Sequence, residues 1–185
     1  ILQNLDASKY KVFEVHVLTE GWFAVVNNEH FNIDKSDFSF TKDGNKTQFD
    51  TIINTVHGTP GEDGHLQAYW ELLEIPYTGC NFYQSALTFN KRDTLSVLSK
   101  FNIPKANSIY LTKGMSISAE DVVAELGLPF FVKPNQSGSS LGVSKVNKKL
   151  RIGTHGRGMF ERSLVSSFVS VASENLKQEI NLFSF

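Results

Sequence analysis

The stretch FFVKPNQSGSSLGVSKV, from Phe130 to Val146, decides how the fold of this chain is interpreted. It begins as a hydrophobic strand that ends at Lys133, and it returns as a second strand, VSKV. The intervening loop, residues 135–142, consists mostly of glycine and serine, which let a ligand approach the backbone closely. The pattern therefore indicates a phosphate-binding hairpin. A mobile hairpin tip, with a lysine whose charged end extends into water, remains the alternative.

The loop differs from the known P-loop, because GxxxxGK[ST] is not matched and a strand, not a helix, follows it. It is closer to the glycine-rich hairpin that covers ATP in protein kinases. Within it, Ser137, Ser139 and Ser140 can donate hydroxyl hydrogen bonds to phosphate oxygens.

A second candidate cation, Lys91, stands with Arg92 at the start of the predicted helix KRDTLSVLSKF. A cation at a helix N-terminus opposes the helix dipole, at a cost of about 0.3–1 kcal/mol. A nearby anion such as a phosphate would explain this lysine. The simpler alternative is a lysine that bends back into water.

A third candidate is the loop HGTPGEDG, residues 57–64, between a predicted strand and a predicted helix. Its glycines permit sharp turns, and His57 and Glu62 follow the carboxyl end of a strand, where ligands bind in open α/β sheets. The GxGxxG dinucleotide fingerprint is absent. The alternative is a glycine-rich turn in which Glu62 and Asp63 only cap the helix.

Predicted strands and helices alternate along the chain, which is typical of α/β architecture. TQFDTIINTV is nearly all apolar at its end and predicts a strand of a parallel sheet covered on both faces. ILQNLDASKY is interpreted as the end of a helix. Further helices are predicted at HLQAYWELLE, FYQSALTF, KRDTLSVLSKF and from a Ser118 cap to Glu125, and further strands at KVFEVHVL and NSIYLT.

Composition excludes several classes of protein. The 185 residues are 41% hydrophobic and 20% charged with a formal net charge of -1, which argues against a nucleic-acid partner. The single cysteine, Cys80, excludes an internal disulfide. No apolar run approaches the roughly 18 residues that a membrane span needs, so no membrane association is expected.

Three segments, taken in this order, resemble the D-alanine–D-alanine ligases of the ATP-grasp superfamily. They are VHGTPGEDGHLQAYWELLEIPYTG, SALTFNKRDTLSVLSKFNIP and LGLPFFVKPNQSGSSLGVSKV. The resemblance implies an amino-terminal, Rossmann-like parallel-sheet domain in residues 1–79, without its first strand. It also implies the first part of an ATP-grasp central domain in residues 80–146. Residues 147–185 do not share the resemblance and are interpreted as a tail of uncertain origin, either disordered or joined from another protein near Asn147.

The resemblance also implies roles for single residues. It makes Lys91 and Lys133 the lysines that contact the ATP phosphates, and it places catalytic Ser139 near the first D-alanine and the transferred phosphate. It assigns His57 and Glu62 to the substrate cleft. The rest of the loop that closes over the phosphates comprises Ser137, Gly138, Ser140 and Gly142.

By this resemblance, ATP phosphorylates the carboxylate of one D-alanine and the amine of a second attacks the acyl phosphate, as a cytoplasmic step of peptidoglycan synthesis. Mg²⁺ is implied, with its ligands expected beyond Val146, so that no metal ligand is assigned here. A homodimer through the amino-terminal domain is implied as well. This chain is expected to be an incomplete, inactive form. Alternatives are a related ligase that uses D-lactate or D-serine, or a non-catalytic α/β binding module.

Overall fold

The computed structural model describes the backbone of residues 4–147, 149–154, 158–163, 168–170 and 180–184, and the side chains of residues 4–147. The chain divides into two compact units. The first comprises Ile1–Val56 and Ala68–Gly79, and the second His57–Gln67 and Cys80–Phe185.

The first unit contains a five-stranded sheet in which each strand pairs antiparallel with the next. Two of its hairpins turn on consecutive residues with positive φ, Asn27 and Asn28 in one and Asp43 and Gly44 in the other. Such pairs suit the two-residue turns whose twist matches that of the strands. The strands are β1 (Glu14–Val17), β2 (Trp22–Val26), β3 (Glu29–Asp34), β4 (Ser39–Lys42) and β5 (Asn45–Thr47).

Aromatic side chains form the core of this unit. Phe38 and Phe40 are each 2% exposed, and the Phe38 ring lies 6.0 Å from that of Trp70 between centroids. Trp70 is carried by helix α1 (His65–Leu72). Edge-to-face packing of this kind adds to the stabilisation from burying the rings themselves.

The structure confirms the mixed α/β class but corrects the parallel sheet predicted for residues 1–79. Within the described residues of this unit, the one parallel pairing is an isolated bridge between Ile52 and Tyr77. Of TQFDTIINTV only Thr47 lies in a strand, as the last residue of β5. Among the described residues of ILQNLDASKY, Asn4 is in a 3-10 helix and residues 7–9 form a turn. The hairpin connections explain the antiparallel order, because a few residues can join antiparallel strands whereas a parallel pair needs a crossover of about a dozen.

The structure confirms the other predicted elements, with β1 at KVFEVHVL, α1 at HLQAYWELLE and the rest in the second unit. The helices of the second unit are α2 (Phe82–Phe89), α3 (Lys91–Lys100) and α4 (Ala119–Leu126). Its strands are β6 (Ser108–Leu111), β7 (Ser116–Ser118), β8 (Phe130–Pro134), β9 (Ser144–Val146), β10 (Lys149–Thr154), β11 (Gly158–Ser163), β12 (Phe168–Ser170) and β13 (Ile180–Ser184). Its central sheet is antiparallel in the order β6-β13-β8-β9, with β10 paired to β11 and β7 to β12.

Helix α4 packs its apolar face on this sheet. Ser118 caps the helix, since its hydroxyl accepts a 3.0 Å hydrogen bond from the amide of Asp121, and Glu120 and Asp121 lie in the first turn as predicted. The described core comprises Leu111, Val122, Leu126, Phe130, Val132 and Val146.

Two further predictions from the sequence concern disorder in the tail and association with a membrane. The disorder considered for residues 147–185 falls largely outside the described residues. Among the helices that are described, none is long and apolar enough to cross a membrane.

Candidate functional site

A cavity of about 410 Å³ is lined by β8, by the segment that connects it to β9, and by Lys91. Phe130 and Val132 point into the core, and Phe130 lies opposite Val146 on β9. Because successive side chains of a strand face opposite sides of the sheet, Phe131 and Lys133 line the cavity instead. The alternation seen in the sequence thus places one lysine at the cavity. Such a volume is within the usual range for a small-molecule site.

Lys91 reaches the same cavity from the first position of α3. Its ammonium Nζ donates to the carbonyl oxygen of Ser137 at 2.7 Å and to that of Asn135 at 3.2 Å. Both acceptors belong to the Gly/Ser loop, so the lysine and the loop are held against each other.

The electrostatics of Lys91 connect it to the second lysine. Burial lowers the pKa of Lys91 below 10.5, and the positive charge of Lys133 lowers it further. Two ammonium groups that repel each other in a partly buried cavity are stabilised by a bound anion. The cavity therefore has the charge that a phosphate chain requires.

The Gly/Ser loop is a compact turn closed by its own hydrogen bonds. The amide of Leu141 donates to the carbonyl of Gly138 at 3.0 Å, and the amide of Val143 to that of Ser140 at 3.2 Å. Ser139 and Ser140 have φ angles of 47° and 58°, the left-handed region that non-glycine residues seldom occupy.

Two glycines of the loop are in close contact with neighbours. At Gly138, an added Cβ would overlap Oε2 of Glu62, which itself accepts a 2.6 Å hydrogen bond from the amide of Gly58. At Gly142, where φ is 72°, it would lie 2.8 Å from Cγ of Pro134. The Glu62 carboxylate therefore contacts its own loop at Gly58 and the Gly/Ser loop at Gly138.

The structure brings most of the predicted site residues together. Gly142 lies next to Pro134, and Glu62 lies next to Gly138; both Pro134 and Gly138 line the cavity. His57 is not among the residues that line the cavity; it precedes Gly58. The predicted residues that line the cavity are Lys91, Lys133, Ser137, Gly138, Ser139 and Ser140. Their individual roles stay predictions.

Sequence reasoning missed Asn135. This residue is 1% exposed, and its side chain donates to Oδ1 of Asn90 and accepts from the amide of Arg92, each at 3.0 Å. Asn90 directly precedes Lys91, and an asparagine just before a predicted helix is a recognised N-cap signal in a sequence. Nothing in the sequence distinguished Asn135 from an ordinary turn former after Pro134.

Metal ligands are not evident in the part of the chain whose side chains are described. There, no three side chains of His, Cys, Asp or Glu cluster in a way that could hold a metal ion.

Two family models match the chain. The model described as D-ala D-ala ligase N-terminus matches residues 1–80, and the model described as D-ala D-ala ligase C-terminus matches residues 97–162. The second match extends beyond Asn147, where the sequence had suggested the start of an unrelated tail.

Named relatives agree with these models. A D-alanine--D-alanine ligase of Flavobacterium psychrophilum is 72% identical over 147 residues, which are 80% of this chain and 45% of that protein. One of Flavobacterium johnsoniae is 50% identical over 82% of this chain and 47% of that protein. The solved D-alanyl-alanine synthetase A of Vibrio cholerae has a TM-score of 0.65 and 30% identity over 76% of this chain and 43% of its own. The chain thus spans about half the length of the curated relatives it matches.

Proposed function

The chain belongs to the D-alanine–D-alanine ligase family, and from this premise we propose that its cavity binds the phosphate chain of ATP for the joining of two D-alanines. The observation that carries the proposal is the convergence of Lys91, Lys133 and the Gly/Ser loop on one cavity. Lys133 and the loop are neighbours in the sequence, whereas Lys91 lies on a distant helix and is brought to them by the fold.

The residues present fit a triphosphate. Lys91 and Lys133 supply two positive charges, and burial together with the charge of Lys133 lowers the pKa of Lys91. Ser137, Ser139 and Ser140 line the same cavity and bring hydroxyl and amide donors. The absence of a side chain at Gly138 leaves room for the Glu62 carboxylate, which packs against the loop backbone there.

In the proposed reaction the carboxylate of one D-alanine attacks the γ-phosphorus of ATP, and ADP leaves. The amine of the second D-alanine then attacks the acyl phosphate carbonyl, and the carbon–oxygen bond to phosphate breaks as the amide forms. Phosphoryl transfer depends mainly on positioning and on stabilising charge at the phosphate oxygens. Lys91 and Lys133 would hold the phosphate chain and share its charge, and Ser139 would donate a hydrogen bond next to the transferred group.

Mg²⁺ would neutralise part of the phosphate charge in such a reaction. The described residues offer no cluster to hold it, so we assign it no ligand in this chain. His57 and Glu62 are proposed to face the amino-acid substrate, with support from family membership and, for Glu62, from its contact with Gly138. A cytoplasmic location and a homodimer through residues 1–79 are proposed on family membership alone.

A titration tests the proposal. We expect ATP to bind this chain in isothermal calorimetry, and we expect inorganic tripolyphosphate to compete with it. Lys133→Ala should weaken ATP binding roughly 10- to 100-fold, because a hydrogen bond to a charged group contributes about 1.5–3 kcal/mol.

The matched control is Lys113→Ala, which removes the same charge from an exposed lysine that does not line the cavity. Equal weakening by both substitutions would indicate only general electrostatic attraction. The absence of any ATP binding would refute the proposal for this chain and would favour a non-catalytic module.

A further inference from the structure

Helix α3 carries Lys91 at its first position but has no buried residue to anchor it. Most short helices are held in place by an apolar face. Elsewhere on α3 the Thr94 hydroxyl donates to the carbonyl of Leu87 at 2.8 Å, and Arg92 lies 4.6 Å from the centroid of the Tyr110 ring. Neither contact holds Lys91 itself, whose ammonium must be placed accurately to act beside a phosphate. Another interaction must determine where the helix begins.

Polar contacts to the end of β8 supply that interaction. The side chain of Asn135 accepts from the amide of Arg92 and donates to Oδ1 of Asn90, each at 3.0 Å. Its backbone carbonyl accepts from the amide of Lys91 at 3.3 Å and from Nζ of the same lysine at 3.2 Å. One residue thus binds the cap, the first turn and the charged end of Lys91.

Asn90 completes this arrangement from the helix side. Its Oδ1 caps α3 by accepting from the amide of Asp93 at 3.2 Å, while it also accepts from Asn135. Gln136 and Asn90 form an isolated antiparallel bridge next to it. Because Asn135 is 1% exposed, water does not readily replace these hydrogen bonds, and each lost one leaves a buried polar group unsatisfied.

We infer that Asn135 is a positioning residue for Lys91: its buried side chain docks the first turn of α3 on the end of β8 and thereby fixes the Lys91 ammonium beside Lys133. The expected effect on ATP binding rests on the proposed function. The inference about where the Lys91 ammonium lies does not depend on it.

The experiment uses the pKa of Lys91 to report the surroundings of its ammonium, and the affinity for ATP to report the effect on binding. The lysine side-chain resonances of the full chain are titrated with pH by NMR, with Lys91 assigned through Lys91→Arg, and ATP affinity is measured by calorimetry. In Asn135→Ala we expect the pKa of Lys91 to rise toward 10.5, because the ammonium is no longer held in the partly buried cavity beside Lys133. We expect the dissociation constant for ATP to increase about tenfold.

Two further variants separate positioning from general stability. Asn90→Ser retains a capping hydroxyl but cannot reach Asn135, so it should shift both readouts in the same direction by a smaller amount. Ser99→Ala, near the exposed end of the same helix, removes a hydrogen bond to the carbonyl of Leu95 and should change neither readout.

The outcomes are distinct. If Asn135→Ala is folded by circular dichroism and neither readout changes, the inference is wrong. If that variant does not fold, Asn90→Ser decides in the same way. If the unsubstituted chain fails to bind ATP, the proposed function fails, while the pKa of Lys91 in the variants still supports or overturns the inference.

Discussion

Replacing Gly138 with alanine tests the contact between the Gly/Ser loop and Glu62. The new Cβ would overlap Oε2 of Glu62, whereas ordinary contact begins near 3.4 Å. The carboxylate must therefore move by about an ångström, which stretches its 2.6 Å hydrogen bond to the amide of Gly58 beyond the usual N–H···O range. Hydrogen bonds to charged groups contribute about 1.5–3 kcal/mol, and the partial exposure of Glu62 favours the lower end of that range.

Urea unfolding followed by circular dichroism measures this cost. We expect Gly138→Ala to reduce the free energy of unfolding by about 1.5 kcal/mol. In a Glu62→Ala background the obstructing oxygen is absent, so the same substitution should cost less than about 0.5 kcal/mol, as for an ordinary surface change. Gly138 does not have a positive φ, so backbone strain does not contribute to the comparison.

Equal costs in the two backgrounds would refute this reasoning, since the cost could not then come from displacing Glu62. If Gly138→Ala does not change the free energy of unfolding of the unsubstituted chain, the reasoning is also wrong. That result would mean that the Glu62 carboxylate can move without losing a stabilising hydrogen bond from the amide of Gly58.

Other predictions concern charge and packing. Affinity for ATP should fall as pH rises through the lowered pKa of Lys91, and binding in that range should take up protons in calorimetry; Lys91→Met should remove both effects. The hydrogen bonds from Lys46 and Ser39 lower the pKa of Asp37 from 3.8 to about 2. Stability from this carboxylate is therefore complete above pH 3.8 and is lost as pH falls toward 2, and an acid titration of Asp37→Asn should lack that part of the loss. Phe130→Ala should cost about 3–5 kcal/mol in urea unfolding, because Phe130 is 1% exposed in the core.

The hairpin and its lysine could be predicted from the sequence because the information is local. Alternating apolar residues set which side chains of β8 face the core, and the position of Lys133 follows from that alternation. The start of α3 at Lys91 followed from the helical spacing of its apolar residues. Resemblance to a family then joined the two lysines, which are distant in sequence.

The antiparallel sheet was missed although its turn signals were present. Asn27–Asn28 and Asp43–Gly44 are pairs that favour two-residue hairpins. The polar, Asp- and Asn-rich composition of residues 27–46 nevertheless obscured the short strands between these turns. Apolar character at the end of TQFDTIINTV favoured a buried strand, yet strand pairing depends on partners elsewhere in the chain.

The role of Asn135 could not be predicted from the local sequence pattern, for a related reason. Its partner Asn90 lies 45 residues away, and only the fold brings the two side chains together. A buried asparagine has the same sequence signature as a surface turn residue, so its burial and its hydrogen bonds had to be observed.

Differential acetylation of lysines measures whether Lys91 and Lys133 contact the same bound nucleotide. The full chain is acetylated at low reagent concentration with increasing ATP, and the modification of each lysine is quantified by mass spectrometry. We expect Lys91 and Lys133 to become protected together, at the same half-saturating ATP concentration, while the modification of Lys113 does not change. Protection of only one of the two, or of neither, would contradict the claim that they bind one phosphate chain.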